Sequence, residues 1–281
     1  MNYTQFRNQQ SSFLSSQGDI KYIDQGKGDV IVLLHGIPTS GWLYRKMINE
    51  LSQNYRVIAP DMLGFGSSDS PKGYDVYAPK KHANRLLELM TYLKVDIWNH
   101  VFHDAGGLWT WELLKQNPEK IKNLILLNTI IYKEGFNPPI RFKKGIIAKC
   151  IMALYSNSIT SNMMLKGLFK TGLIENNLSL EDIEGYKKPL LEGKTRAMYH
   201  FFSNTCNDLP NYSVVVKNLN IPKLLIWGKY DSFLVFDKMK NKVIQDLNLP
   251  KENIHLIEAK HFIQEEKNKE ISNLILCFLD N

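Results

Sequence analysis

The sequence predicts an α/β fold in which a mostly parallel sheet is flanked by helices. Short apolar runs alternate with amphipathic segments of helical length in the first and last parts of the chain. Such alternation is typical of parallel strands joined by right-handed helical crossovers. Residues 130–215 interrupt this rhythm with helical patterns and no clear strand. We therefore expect a core of residues 1–129 and 216–281, with a helical insertion that follows the strand ending near Leu127.

The core elements can be assigned in chain order. Apolar runs predict strands at residues 29–34, 55–59, 97–102, 121–127, 223–227 and 253–257. Amphipathic segments predict helices at residues 41–53, 79–93, 108–116, 236–247 and 262–279. Pro79 falls in the first turn of its predicted helix, where a proline is well tolerated. This pattern is long enough for a substantial sheet with helices on its faces.

Composition excludes several classes of partner. The chain has 281 residues, is 44% hydrophobic and carries a formal net charge of +7. Its lysines are scattered rather than clustered, so we expect no nucleic-acid partner. No apolar run reaches signal-peptide or membrane-span length, so we expect a cytoplasmic protein with no membrane partner. The three cysteines lie far apart without metal-ligand spacing, which predicts reduced thiols and no metal site.

Asp104 stands at the point where a predicted strand turns into a helix. Residues 101–107 read Val-Phe-His-Asp-Ala-Gly-Gly, the context of a nucleophile elbow, which lifts one side chain out of a sheet. A carboxylate there can attack a saturated carbon and form an ester on the protein itself. The alternative is that Asp104 merely caps the following helix. The adjacent glycines and the distant partners described next favour the catalytic interpretation.

An acid and a histidine follow later strands. Asp231 comes after the strand at 223–227, and His261 after the strand at 253–257. The chain order nucleophile, acid, histidine is that of the α/β-hydrolase fold, in which all three lie at the carboxyl ends of strands. Asn128, which follows the preceding strand, cannot ionise, and Glu134 a few residues further is a weaker rival for the acid.

Two backbone N–H groups are the expected oxyanion donors. In this fold they belong to the residue after the nucleophile and to a loop after an earlier strand. Here those residues are Ala105 and Ile37, the latter within His35-Gly36-Ile37-Pro38.

On these residues the sequence resembles the epoxide hydrolase and haloalkane dehalogenase branch of the α/β-hydrolase superfamily. The matching segments are residues 35–38, 61–68, 103–107, 227–231 and 261–265. The resemblance implies Asp104 as nucleophile, His261 as base and Asp231 as its orienting acid, with no cofactor. It also implies that residues 130–215 form the helical cap of the family, above a site for a small apolar substrate, in a monomer or homodimer.

The leaving group distinguishes the two activities of that branch. An epoxide opens to an alkoxide, which needs a proton donor, and the family uses cap tyrosines. Tyr199 is the preferred candidate and Tyr155 the second, with Tyr186 as a competitor. The other tyrosines of the insertion are Tyr132 and Tyr212.

A halide needs N–H donors instead. Related dehalogenases place Trp after the nucleophile and a further donor after the first His-Gly or in the cap. Here Ala105 and Ile37 occupy those places, and the insertion contains no Trp. Ala105 and Leu108 also disfavour a fluoroacetate-type site. We therefore predict hydrolysis of epoxides to diols through an aspartyl ester, with haloalkane dehalogenation as the alternative and non-catalytic binding of a small ligand as the rival from another class.

Two further features have alternative interpretations. His100 and His103 lie three apart on a strand and so face opposite sides, which argues against joint metal ligation. The apolar segment at 146–154 is either a membrane-facing patch or a cap helix lining an apolar pocket, and we favour the second.

Overall fold

A mixed sheet forms the centre of the computed structural model, which describes residues 1–175 and 177–280. In this part of the chain eight strands pair in the order β1-β2-β4-β3-β5-β6-β7-β8. They are β1 Ser11–Ser15, β2 Gly18–Gln25, β3 Val30–Leu34, β4 Arg56–Pro60, β5 Trp98–Asp104, β6 Ile121–Thr129, β7 Lys223–Gly228 and β8 Ile254–Ile257. The pairs β1–β2 and β2–β4 are antiparallel, and the other pairs are parallel. The predicted α/β class with a mostly parallel sheet is confirmed.

The α-helices of the described residues flank the sheet or lie between β6 and β7. They are α1 Tyr3–Asn8, α2 Arg45–Leu51, α3 Pro79–Tyr92, α4 Gly106–Gln116, α5 Ile146–Tyr155, α6 Ser158–Gly172, α7 Leu180–Leu191, α8 Arg196–His200, α9 Ser213–Lys217, α10 Lys240–Asp246, α11 Ile263–Glu266 and α12 Asn268–Leu279. None of these helices is both long and apolar enough to cross a bilayer.

The predicted elements agree with the structure except in four places. The predicted helix at 41–53 begins as a 3₁₀ turn, and its α-helical part is only α2. The predicted helix at 262–279 is two helices, α11 and α12, separated at Lys267. The predicted helix at 236–247 begins as a 3₁₀ turn, and its α-helical part is only α10. The sequence also predicted no element before residue 29, where α1, β1 and β2 lie. β1 and β2 were missed because β1 is largely exposed, so it lacks a strong apolar run.

The sheet topology determines where the site lies. β3, β5 and β7 are buried along their whole length, as expected of parallel strands covered on both faces. Parallel strands end at the same edge, so the residues after β3, β5, β6 and β7 come together there. Helices α5–α9 extend from β6 and return to β7 at this edge, and we call residues 130–215 the cap segment.

A buried ionic cluster fastens the cap segment to the core. Arg45 of α2 forms an ion pair with Glu265 of α11 at 2.5 Å, and another with Asp182 of α7 at 2.5 Å. The Arg45 guanidinium also stacks on Trp42, 4.4 Å from its ring, and Tyr186 donates to Glu265 at 2.5 Å. A buried charge is tolerated only when it is paired and hydrogen-bonded, so these groups hold one mutual arrangement.

Candidate active site

The elbow at the end of β5 is strained and depends on two glycines. Asp104 has φ +50°, a left-handed conformation that costs a side-chain-bearing residue about 1–2 kcal/mol. A Cβ on Gly106 would lie 2.7 Å from the His35 carbonyl oxygen, and one on Gly107 would lie 2.4 Å from Thr129 Oγ1. The turn into α4 therefore has room only for glycine at both positions, and it holds the Asp104 carboxylate above the sheet edge.

The two predicted backbone donors meet on the Asp104 carboxylate. Its Oδ2 accepts the Ile37 N–H at 2.9 Å, and the Ala105 N–H also donates to the carboxylate. A Cβ on Gly36 would lie 2.4 Å from Asp104 Cβ, so the loop after β3 can approach this closely only with glycine there. One carboxylate oxygen thus already lies where an oxyanion of a later ester intermediate would form.

His261 lies between the two predicted carboxylates. Its Nδ1 donates to Asp231 Oδ2 at 2.9 Å, and its Nε2 lies 3.6 Å from Asp104 Oδ1. The second distance exceeds that of a normal hydrogen bond. With Nδ1–H held by Asp231, a neutral His261 presents an Nε2 lone pair toward the elbow.

Asp231 is fixed by donors on both of its oxygens. Oδ1 accepts the backbone N–H groups of Phe233 at 2.8 Å and Leu234 at 3.0 Å. Oδ2 accepts from Asn128 Nδ2 at 2.6 Å, and Asn128 Oδ1 in turn accepts the Gly228 N–H at 2.9 Å. Asn128 therefore connects the ends of β6 and β7 and orients the acid rather than replacing it. From the sequence, Asn128 is only a residue that cannot ionise and so cannot be the acid, although an amide at the end of a strand can indicate this orienting role.

Glu134 is not positioned to serve as the acid. Its side chain is 55% exposed and pairs with Lys242 at 3.3 Å. The structure brings Asp231, not Glu134, to the histidine.

His103 is a second residue whose role the sequence did not reveal. Its Nε2 donates to the His261 carbonyl at 3.0 Å, whereas His100 Nε2 bonds Thr110 Oγ1 at 2.9 Å. The two histidines point to different places, as their spacing predicted. His103 thus anchors the backbone of His261.

Burial and mutual attraction shift the pKa values of Asp104 and His261. Burial raises the pKa of Asp104 above its ordinary value, although His261 and the backbone donors oppose that shift. Burial lowers the pKa of His261, but Asp231 and Asp104 outweigh burial, and the net pKa is above 6.5. The attraction between the two groups thus favours their charged forms, whereas burial disfavours them.

The cap segment holds the histidine loop directly. The Gly172 carbonyl, at the end of α6, accepts the N–H groups of His261 at 3.0 Å and Phe262 at 3.1 Å. A Cβ on Gly172 would lie 2.6 Å from the Phe262 ring, so the approach requires glycine. The position of α6 and that of His261 are thereby linked.

A largely apolar cavity opens above Asp104 and His261. Apart from these two residues, the described lining is hydrophobic with one hydroxyl, that of Tyr155. The remaining lining residues are Ile37, Pro38, Phe136, Pro138, Pro139, Leu168, Met198, Phe201, Phe202, Phe233, Leu234 and Phe262. A small apolar molecule fits such a site.

The structure reverses the order of the two tyrosine candidates. Tyr155 lines the cavity, and burial raises its pKa to about 12. Tyr199 does not line it: its hydroxyl accepts the Gly145 N–H at 3.3 Å, and its ring packs on Tyr74 at 4.6 Å. This placement does not support the prediction for Tyr199, because the direction of a cap side chain depends on how the helix is docked, which a local pattern does not encode.

The remaining cap tyrosines hydrogen-bond carboxylates instead of facing Asp104. The pairs are Tyr132 with Asp246 at 2.7 Å, Tyr186 with Glu265 at 2.5 Å and Tyr212 with Glu112 at 2.9 Å.

Among residues 1–175 and 177–280, no three His, Cys, Asp or Glu side chains are grouped so that they could hold a metal ion. The chemistry available at this site is that of Asp104, His261, Asp231, Tyr155 and the backbone donors.

Three features together define the α/β-hydrolase fold: the order of the strands, the elbow after β5, and the acid and the histidine that follow later strands. In this chain the residue at the elbow is an aspartate. A family model described as alpha/beta hydrolase fold matches residues 29–146. Over its length the chain is similar to epoxide hydrolase 3 of Xenopus tropicalis, with 24% identity over 92% of this chain and 74% of that protein. Haloalkane dehalogenase 2 of Mycobacterium tuberculosis is 37% identical over 42% of this chain and 41% of that protein. The resemblance to this branch is confirmed.

A solved structure agrees with the fold. The crystal structure of an epoxide hydrolase from Vigna radiata superposes with a TM-score of 0.74 at 21% identity, covering 96% of this chain and 97% of that one. At this identity the likeness establishes the architecture, whereas the choice of substrate has to be argued from the site.

Proposed function

We propose that this chain is a hydrolase that forms a covalent ester on Asp104, and that its substrate is an epoxide, which it opens to a diol. The observation that carries the proposal is a buried carboxylate with Oδ2 held by a backbone N–H at 2.9 Å and Oδ1 3.6 Å from a histidine. A serine at this place would transfer acyl groups, whereas a carboxylate attacks an alkyl carbon.

The first step forms the ester. Asp104 Oδ1 attacks the less hindered epoxide carbon, the carbon–oxygen bond of the ring breaks, and the ring oxygen takes the proton of the Tyr155 hydroxyl. The raised pKa of Tyr155 keeps that proton in place before reaction. An alkoxide is a stronger base than a phenolate, so the transfer is favourable once the ring opens.

Ester formation itself prepares the base for the second step. Asp104 loses its negative charge, and with it one of the interactions that raise the His261 pKa. A charged His261 then gives its Nε2 proton to solvent more readily, and it regains that proton from solvent once the Asp104 carboxylate is restored. In between, the free Nε2 accepts a proton from the water that attacks the ester carbonyl.

The oxyanion forms on Oδ2, between the N–H groups of Ile37 and Ala105. Loss of one such donor typically costs about 3–4 kcal/mol of transition-state stabilisation. Collapse expels the diol oxygen, which takes the proton from His261. The new carboxyl group of Asp104 returns a proton to the Tyr155 phenolate and completes the cycle.

The lining of the cavity favours an epoxide over a halide. A departing halide requires N–H donors, but the described lining contains no Trp, Asn or Gln side chain. A departing alkoxide requires a proton, which Tyr155 can supply. Dehalogenation remains the alternative activity, and binding without turnover is the rival of another class.

The test is to trap the intermediate in His261→Gln. Incubation with styrene oxide should leave an adduct of the epoxide's mass on the protein, located on Asp104 by peptide mass spectrometry. His255→Gln, a half-buried histidine of β8, is the matched control and should show no accumulation. An adduct only with bromobutane supports dehalogenation, and no adduct with either probe supports the binding protein.

A second experiment follows the oxygen atom. Single turnover of the wild-type protein in heavy-oxygen water should place the isotope in the Asp104 carboxyl group, because water attacks the ester carbonyl rather than the substrate. Isotope found in the diol alone would rule out the ester.

A further inference from the structure

The helical hairpin of α5 and α6 has two apolar faces, although it needs only one to cover the cavity. Its inner face includes Tyr155 and Leu168, which line the cavity. Its outer face carries large apolar side chains that are strongly exposed: Ile146 75%, Ile147 73%, Ile159 71%, Met163 69% and Leu154 46%. We call these five residues the outer face.

The spacing of these residues makes the outer face continuous on each helix. Ile147 and Leu154 are seven apart on α5, and Ile159 and Met163 are four apart on α6, so each pair lies on one side of its helix. A monomeric protein rarely leaves such a contiguous patch without a partner.

Charge distinguishes this surface from the rest of the protein. Residues 137–174 contain six basic and no acidic residues, against a net charge of +7 for the whole chain. Five of them are lysines: Lys143, Lys144, Lys149, Lys166 and Lys170. No described residue forms an ion pair with these lysines. The apolar side chains of the outer face therefore lie in a segment whose lysines have no acidic partner among the described residues.

We propose that the outer face docks this protein on an anionic lipid bilayer. Exposed isoleucines beside lysines are the chemistry of an interfacial helix, which inserts apolar side chains at the headgroup boundary while its cations meet lipid phosphates. α5 and α6 would lie in the surface rather than span the bilayer. This departs from the expectation of no membrane partner. The apolar run at 146–154 packs inward through Ala148 and Met152 and leaves a second apolar face exposed.

Docking in this orientation places the cavity next to the bilayer. The same two helices separate the lipid surface from Asp104, so an apolar substrate dissolved in lipid has a short path to the site. This consequence rests on the proposed function, whereas the docking itself does not.

The test is flotation with vesicles in the absence of substrate. Wild-type protein should bind vesicles of phosphatidylcholine and phosphatidylglycerol in equal parts, and bind pure phosphatidylcholine vesicles much more weakly. Binding should weaken with salt, since screening shortens the reach of the lysines from about 10 Å at 0.1 M to about 3 Å at 1 M. Asp104→Asn should bind like the wild type, which separates docking from catalysis.

Two sets of variants separate the apolar and ionic contributions. Ile146→Ser with Ile147→Ser should lower the partition constant roughly tenfold or more. Lys143→Glu with Lys144→Glu should lower it roughly fivefold or more per residue, on anionic vesicles only. The matched controls are Leu14→Ser, an apolar residue that is 77% exposed on β1, and Lys251→Glu, and both should bind normally.

Three outcomes would overturn the proposal. They are absence of binding to anionic vesicles, equal binding by the outer-face variants and the wild type, or a dimer in sedimentation that Ile147→Ser disperses. The last result would assign the outer face to a second copy of this chain. Because all the substituted side chains are exposed, thermal melts should match the wild type, and the lysine variant tests docking even if the isoleucine variant does not fold.

Discussion

Asn128 Nδ2 lies 2.6 Å from Asp231 Oδ2, the same oxygen that accepts the His261 Nδ1 proton at 2.9 Å. One carboxylate oxygen is thus shared between an amide and the histidine. The amide fixes the direction of that oxygen, and through it the plane of the imidazole.

Asn128→Ala should therefore slow ester hydrolysis more than ester formation. A lost hydrogen bond to a charged group costs about 1.5–3 kcal/mol, which corresponds to a roughly 10- to 100-fold lower rate. Quenched-flow mass spectrometry of the Asp104 ester measures both steps. Asn123→Ala, at the opposite end of β6, is the control and should leave both rates unchanged; equal slowing of the two steps would contradict the role given to Asn128.

Tyr155→Phe should lower kcat for epoxide opening by roughly 10²- to 10⁴-fold, the usual contribution of a positioned proton donor. Tyr199→Phe should have little effect, because that hydroxyl bonds the Gly145 backbone away from the cavity. Steady-state kinetics with styrene oxide distinguish the two variants. The reverse ranking would show that the cap rearranges when substrate binds.

In His261→Gln, the acid limb of the pH–rate profile for ester formation should move to higher pH. Attack requires ionised Asp104, and positively charged His261 lowers the pKa of that carboxyl against the larger effect of burial. Removing the charge leaves burial less opposed, so the pKa rises and the rate falls at a higher pH than in the wild type. The pH dependence of adduct formation measures this shift, and a shift toward lower pH would contradict the assigned pair.

Arg45→Met should destabilise the protein by about 3 kcal/mol, because Asp182 loses its counter-ion and the buried Glu265 keeps only the partly exposed Lys46 at 2.8 Å. Arg56→Met removes the half-exposed pair with Asp24 and should cost no more than about 1 kcal/mol. Urea unfolding followed by tryptophan fluorescence compares the two variants. Similar losses of unfolding free energy in the two variants would mean that the ionic cluster around Arg45 contributes no more to stability than a surface ion pair.

The sequence predicted most of the sheet and the elbow because both are local. A buried parallel strand is a run of apolar residues, and glycines such as Gly106 and Gly107 indicate a tight turn. The positions of Asp231 and His261 followed from their places after strands, since parallel strands end at a common edge.

The remaining features depend on docking that no short segment contains. Tyr155 and Tyr199 both lie on cap helices, and only the packing of α5 and α8 decides which hydroxyl meets the cavity. β1 and β2 were missed because this antiparallel pair, with β1 at the edge of the sheet, has polar faces and lacks the apolar signature. The role of Asn128 was missed because it arises from a contact between residues that are 103 apart in the chain.

The Gly172 carbonyl accepts the N–H groups of both His261 and Phe262, which has a consequence for exchanging caps between related proteins. The cap segment that lines the cavity therefore also holds the backbone of His261. Under the proposed function, a transplanted cap would alter turnover even if it admitted the same substrate, unless its second helix ended in a glycine at the same height above the sheet.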